Sequence, residues 1–266
     1  MNKSILFLCP SLEKGRDGVG DYTRRMGEAL VELGHVVYYV SLNDHGVGKD
    51  EDEMETGVLR LSSELKWNDR KNRLVHFIKK YDPEWISLQW VGFGYEKRGL
   101  PWVMLSLINR IRTDRKLHLF FHEIWLGEKP ELPIRHRVLG MLQKWFTCLA
   151  VNRWEPDWAH TSNWIYADAL KRCCLRNISV LDLPGNIPIV EESEAGVMAS
   201  DFGELFIDKS SSHLRIALFG SLDSEWNPNP FCQFLALWAE EKNLIVWLIA
   251  VGSMGKDCEQ WKEVKS

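Results

Sequence analysis

Residues 4–41 read SILFLCPSLEKGRDGVGDYTRRMGEALVELGHVVYYVS, and this stretch decides the fold. Ser4–Cys9 is a short, nearly continuous apolar run, the pattern of a strand buried on both faces. A connection from Pro10 to Gly20 follows, then a helical segment in which Tyr22, Met26, Ala29, Leu30 and Leu33 share one face. Gly34 stops that helix, and Val36–Ser41, rich in β-branched and aromatic residues, is a second strand. Strand, helix, strand in so short a span is a βαβ unit, which predicts a parallel sheet covered by helices.

The same alternation continues outward. After an acidic, solvated stretch at Lys49–Glu55, Val58–Leu61 is a short strand and Asn68–Tyr81 an amphipathic helix ended by Asp82-Pro83. Trp85–Trp90 and Leu117–Phe121 are further strands, separated by a helix over Pro101–Arg115. Arg135–Arg153 is a long helix, and Trp158–Thr161, Trp164–Cys173 and Ile178–Leu183 add a strand, a helix and a strand. We therefore assign residues 1–187 to a complete Rossmann-like domain. Residues 188–213 are polar and acidic, with Glu191, Glu192, Glu194 and the run Ser210–Ser212, and read as a linker. Residues 214–266 open a second unit: strand Leu214–Phe219, helix Phe231–Lys242 and strand Leu244–Val251. Two strands and a helix cannot close a doubly wound sheet, so the second domain is expected to be incomplete here.

The bulk properties exclude several classes. A formal net charge of −4 over 266 residues gives no global basic field, so no nucleic-acid partner is expected. No run approaches the ~20 apolar residues of a membrane span, and the first apolar run is too short for a secretory signal, which points to a cytoplasmic protein. The six cysteines show no C-x-x-C spacing, and the adjacency of Cys173 and Cys174 is a poor arrangement for a metal knuckle. They read as idle thiols in a reducing compartment. The Arg135–Arg153 helix carries Arg135, Arg137 and Lys144 with no acid between them, beside Val138, Met141, Leu142, Trp145 and Phe146. The first reading is a helix with a wide buried stripe and a solvated basic face. The alternative is peripheral contact with an anionic inner-membrane surface through Arg135, Arg137, Lys144 and Trp145.

In an open parallel sheet, ligands bind beyond the carboxyl ends of the strands. The first such loop holds Gly15, Gly18 and Gly20 and leads into a helix, an arrangement that could cradle phosphate or serve as a plain turn. It is not a dinucleotide fingerprint, because the third glycine position is Thr23; Asp44, near the end of the second strand, would be the matching ribose acid. The strand Leu117–Phe121 runs into His122-Glu123, which places an imidazole at a strand end where it can bond a sugar hydroxyl or serve structure. Gln89 and Trp90 end another strand and suit either sugar stacking or packing. Asp50-Glu51-Asp52 lies in the solvated acidic run and is not read as a metal site. No G-x-S-x-G elbow is present.

These pieces, in this order, resemble the GT-B glycosyltransferases of the family-four, "group one" type. The resemblance rests on Gly18-Val-Gly-Asp-Tyr-Thr-Arg-Arg, on Leu33-Gly34-His35-Val36-Val37, on the strand-end His122 and on Thr161-Ser162. Leu183-Pro184-Gly185-Asn186-Ile187-Pro188 and Leu218-Phe219-Gly220-Ser221 extend it. It implies retaining transfer of a sugar from a nucleotide-sugar donor to a glycan or lipid-linked acceptor, with no cofactor and no obligatory metal. It implies that Gly18, Gly20, Gly220 and Ser221 face the donor diphosphate, that His122 is catalytic, and that Asp21, Tyr22, Gln89, Trp90 and Glu123 lie on the acceptor side.

Two departures qualify that expectation. The segment after Ser221 runs Asp223-Ser224-Glu225-Trp226-Asn227, without the cation that the family places against the leaving diphosphate. By the resemblance, the family's pair of donor-gripping glutamates is expected beyond residue 266. The chain is therefore expected to be weak or inactive alone, and a non-catalytic glycan- or protein-binding module is the competing reading.

Overall fold

The computed structural model of the chain describes residues 2–48, 57–127, 133–183, 213–219 and 228–251. The chain divides into two compact units, Met1–Ile187 and Pro188–Ser266.

In the first unit, β1 (Ser4–Cys9), α1 (Gly18–Glu32), β2 (Val36–Asp44) and β3 (Val58–Ser62) are followed by α2 (Trp67–Tyr81) and β4 (Trp85–Trp90). The short α3 (Gly92–Tyr95), α4 (Trp102–Arg112), β5 (Lys116–Phe121), α5 (Ile134–Trp154), β6 (Trp158–Thr161), α6 (Trp164–Cys173) and β7 (Ser179–Val180) complete it. The strands form one sheet in the order β3-β2-β1-β4-β5-β6-β7, and every pair is parallel. This is the α/β, Rossmann-like architecture expected from the βαβ pattern. The expected final strand over Ile178–Leu183 shrinks to two residues.

The topology makes the two faces unequal. Parallel crossovers are right-handed, so the step from β1 to β2 and the opposite steps from β4 to β5 to β6 put their helices on opposite faces. One face carries Leu6, Leu8, Ile86, Leu88, Trp90, Leu117, Leu119 and Phe121, packed with Leu74, Phe77, Met104, Leu107 and Phe146 of α2, α4 and α5. The other face presents Phe7, Ser87, Gln89 and His118 beneath α1, beside a groove of about 440 Å³. Strand order reverses between β1 and β4, so the ligand crevice of such a sheet opens there, past Cys9 and Trp90.

Helix α1 begins at Gly18, earlier than the sequence pattern suggests. Asp17 is its N-cap, accepting from the Gly20 N–H at 2.7 Å. A Cβ on Gly20 would lie 2.7 Å from the Ser11 carbonyl oxygen, so this glycine lets the helix press against the β1–α1 connection. Helix α5 also differs from expectation. Its buried side is built from Gly140, Gln143, Phe146, Thr147, Ala150, Val151 and Trp154. Val138, Met141, Leu142 and Trp145 face solvent instead of the core, together with Ile134.

In the second unit, β8 (His213–Phe219) and β9 (Ile245–Val251) form a parallel pair, joined through α7 (Asn229–Lys242). Pro228 starts α7 and Asn243, in the left-handed conformation, ends it.

Candidate functional site

The ends of β4 and β5 and the first turns of α1 converge on His122. Its backbone N–H donates to the Trp90 carbonyl at 3.1 Å, which holds the residue just past the end of β5. The ring is half-buried, with Tyr22 edge-on at 4.8 Å and Phe120 tilted against it at 4.5 Å. Burial pushes its pKa down to about 4, so the ring is neutral at pH 7.

A chain of hydrogen bonds fixes which nitrogen of that neutral ring carries the proton. Nε2 lies 2.9 Å from Gln89 Oε1, an atom that only accepts, so Nε2 is the donor. Gln89 Nε2 donates to Ser87 Oγ at 2.8 Å, and Ser87 Oγ is 2.8 Å from His118 Nδ1. His118 Nε2 in turn is 3.0 Å from His160 Nδ1. Read in this one direction, every donor meets an acceptor: the serine hydroxyl gives its proton to His118 Nδ1, and His118 Nε2–H points to His160. Burial, then the neighbouring His160, lowers the pKa of His118 to about 3, and burial lowers that of His160. The wire is thus neutral throughout. It leaves Nδ1 of His122 as a lone-pair acceptor with no protein partner among the described residues.

The other sequence-predicted residues are placed less uniformly. Tyr22, 6% exposed, forms part of the wall around His122. Gln89 is fully buried and acts on His122, not on solvent. Trp90 is corrected from an acceptor-side platform to a core residue: it is 1% exposed and lies among Tyr95, Phe146 and Trp154. Glu123 is exposed. Asp21 accepts from the Gly15 N–H at 3.2 Å and sits 3.8 Å from Arg24 Nη1. Gly18 has open space where a side chain would go. Gly20 does not: its N–H is taken by Asp17 and its Cα faces Ser11, so a diphosphate-facing role is replaced by a packing one. Gly220, Ser221 and Asp50-Glu51-Asp52 lie outside the described residues.

Asp44 is fully occupied. Arg60 approaches both its oxygens, at 2.9 and 3.0 Å, while Ser11, Ser41 and the Leu12 and Gly46 N–H groups also donate to it. Burial would raise its pKa, but the Arg60 contact and the other donors outweigh that and hold it at about 2. No lone pair is left for a ribose, so Asp44 is a structural anchor of the β1–α1 connection. Sequence reasoning missed Ser87, His118 and His160. Their signal was polar residues on one face of otherwise apolar strands, 87 and 89 on β4, 118 within β5 and 160 within β6.

No family model matches the chain, and no curated protein does. Among solved structures, a glycosyltransferase from Rickettsia africae ESF-5 is similar over 100% of this chain and 64% of its own, with a TM-score of 0.59 at 12% identity. An α-glucosyltransferase in complex with UDP and a 13-mer DNA containing an A:G mismatch is similar over 98% of this chain and 58% of its own, with a TM-score of 0.48 at 10% identity. The present chain thus spans less than two thirds of the length of either. At such identities the likeness is one of fold: an α/β, Rossmann-like architecture shared with the Rickettsia glycosyltransferase.

Proposed function

We propose that the chain forms the acceptor-side part of a retaining glycosyltransferase, which moves a sugar from a nucleotide-sugar donor to a glycan or lipid-linked acceptor. The observation that carries this reading is His122: a neutral imidazole at the strand-end crevice, with Nε2–H committed to Gln89 and Nδ1 left to accept. A ring so prepared accepts a hydrogen bond from a hydroxyl of the transferring sugar and brings no charge of its own. Tyr22 walls the ring. Gly18, at the open start of α1, is the backbone that the donor diphosphate would approach, with Gly220 and Ser221 on the donor side. The reading needs no cofactor and no obligatory metal. Because the chain spans 64% of the Rickettsia protein's length, transfer is proposed for this chain together with a full donor domain; by itself we expect it to be weak or inactive.

The acceptor is proposed to lie at an anionic membrane surface on the inner, cytoplasmic side. Ile134, Val138, Met141, Leu142 and Trp145 are all exposed on α5, and at ~100° per residue they fall within an arc of about 100°. Arg135 flanks that stripe on one side, and Arg137 and Lys144 on the other, the pattern of a helix lying in an interface. No helix among the described residues is long and apolar enough to cross a membrane. A formal net charge of −4 favours glycan or lipid over nucleic acid as acceptor.

One observation favours the competing reading, a binding module without transfer. The Asp17 carboxylate occupies the start of α1, where a phosphate would need donors and positive potential. Ligand-observed NMR with UDP-, GDP- and ADP-sugars separates the two. Nucleotide-sugar binding weakened by both Gly18→Val and His122→Ala supports the transferase reading; binding of free glycan without any nucleotide sugar supports the module.

A further inference from the structure

The sequence separates Cys148 from Cys173 and Cys174, but the fold brings the three together. Cys148 lies on α5, Cys173 is the last residue of α6, and Cys174 is that helix's C-cap. All three Sγ atoms lie within 4.8 Å of one another, with Cys173 and Cys174 at 3.6 Å, and each residue is half-buried. Three sulfurs from two helices thus converge at a place that solvent reaches.

The separations suit a metal better than a disulfide. A thiophilic cation with metal–sulfur bonds of about 2.3 Å needs sulfurs roughly 3.8 Å apart in tetrahedral geometry and 4.0 Å in trigonal. Cys173 and Cys174 stand at 3.6 Å and neither of the other two separations exceeds 4.8 Å, so sulfur shifts of about 1 Å or less complete the set. A Cys173–Cys174 disulfide is strained, because adjacent Cα atoms are about 3.8 Å apart across a trans peptide and disulfides take 4.4 Å or more. Charge also fits a divalent ion. Three thiolates and one dication sum to −1, and Lys144, one turn before Cys148 on α5, supplies the compensating positive charge. Its ammonium sits 5.3 Å above the Trp125 ring and favours the ionised form of Cys173.

The geometry points to a zinc site in which Cys148, Cys173 and Cys174 supply three thiolates and water completes the tetrahedron, tying the end of α6 to α5. Loading exchanges three S–H protons for one Zn²⁺, so three protons leave for each ion bound.

The test is a titration of the reduced full chain with Co²⁺, followed by displacement with Zn²⁺. One Co²⁺ per chain is expected, with sulfur-to-cobalt charge transfer in the near ultraviolet and the d–d bands of tetrahedral coordination, both abolished by Zn²⁺. Cys148→Ser and Cys174→Ser are expected to weaken Zn²⁺ binding by at least ~10-fold, since loss of a supporting residue alone costs that much. Cys232→Ser, on α7, leaves binding unchanged. Circular dichroism of each variant separates a lost ligand from a lost fold. A wild-type spectrum without sulfur-to-cobalt charge transfer overturns the proposal. So does a full spectrum that survives Cys148→Ser, or a thiol count showing a Cys148–Cys174 disulfide that forms in the presence of Zn²⁺.

Discussion

Two glycines two residues apart, Gly18 and Gly20, offer a sharp test of how the β1–α1 connection is built. A Cβ added at Gly20 would lie 2.7 Å from the Ser11 carbonyl oxygen and 3.2 Å from Leu12 Cα, whereas one added at Gly18 meets nothing within 4 Å. Both obstacles at Gly20 are backbone, and that backbone is pinned: the Leu12 N–H and the Ser11 hydroxyl donate to Asp44 at 3.0 and 3.2 Å. It cannot give way as a flexible side chain would. Overpacking of this kind costs about 1–3 kcal/mol. Alanine also gains up to ~1 kcal/mol over glycine from helix propensity, but it does so at both sites, so the gain cancels in the comparison. Gly20→Ala is therefore expected to be about 1–3 kcal/mol less stable than Gly18→Ala, with Gly18→Ala at or slightly above wild type. Urea unfolding followed by tryptophan fluorescence measures this, and at slopes of ~1–3 kcal/mol/M the midpoints should separate by on the order of 1 M. Equal midpoints at equal slopes, or the reverse order, would refute the close-packing account. The outcome also governs the functional test: only a Gly18 variant that folds like wild type can report on ligand binding.

Further expectations follow from the same geometry. Asp44→Ala takes the carboxylate away from the Arg60 guanidinium and leaves the Leu12 and Gly46 N–H groups without their acceptor in a buried site, and should cost about 3–5 kcal/mol in chemical denaturation. A loss under ~1 kcal/mol would mean that water takes over the carboxylate's role. His118 is held near 3 against 6.5 for a free imidazole, so the unfolded chain takes up the proton first. Stability should fall as pH drops from about 6.5 toward 4, by up to several kcal/mol, and His118→Phe should flatten that slope; an unchanged slope would show that other groups carry it. Asp44, held at about 2 against 3.8, adds its own loss only below about pH 4. Nitrogen-15 NMR should find His122 as the Nε2–H tautomer, shifting toward a mixture in Gln89→Leu; an Nδ1–H tautomer in the wild-type protein would reverse the direction of the wire. Flotation with anionic vesicles should depend on Met141 and Trp145, with Met141→Ser/Trp145→Ser lowering the bound fraction several-fold while neutral vesicles bind neither protein.

The sheet was legible because it rests on features that chemistry imposes locally. Ser4–Cys9 is largely buried and apolar almost throughout, Trp85–Trp90 keeps Ile86, Leu88 and Trp90 on its core face, and Gly34 and Asp82-Pro83 mark where helices cannot continue. What was not legible depends on which side of an element meets a neighbour. Helix α5 carries apolar residues nearly all round, so periodicity could not tell Phe146 and Trp154, which pack inward, from Met141 and Trp145, which do not. Trp90 looked like a sugar platform because aromatic residues suit both uses, and only the ring contacts with Phe146 and Trp154 separate them. The Ser87–His118–His160 wire crosses three strands, so no local window contains it. The glycine loop was read correctly as a strand-to-helix transition, but the function of Gly20 depended on where Ser11 folds back.

Electrostatics adds a constraint on the proposed chemistry that fold likeness does not. The His122 end of the crevice is neutral, since burial keeps the imidazole uncharged. The start of α1 is negative, because Asp17 caps it, and Asp21 follows within the first turn. Arg24, on the same helix, donates to the Leu12 carbonyl and lies 3.8 Å from Asp21, which offsets that second carboxylate. A diphosphate approaching this surface meets the open Gly18 backbone and the Asp17 carboxylate, which would cost binding unless Lys14 and Arg16 of the connection, or cations elsewhere, outweigh it. If the chain binds nucleotide sugars, the sugar and its contacts with His122 should therefore dominate, and the corresponding free nucleotide should bind more weakly than the nucleotide sugar. Added salt should strengthen diphosphate binding by screening Asp17, the opposite of a cation-lined phosphate site. Titrations of UDP and UDP-glucose across ionic strength distinguish the two designs. Tight UDP binding that weakens steeply with salt would mean that Lys14 and Arg16 of the connection, or cations outside the residues described, outweigh Asp17, and would restore the donor-phosphate role to this half of the crevice.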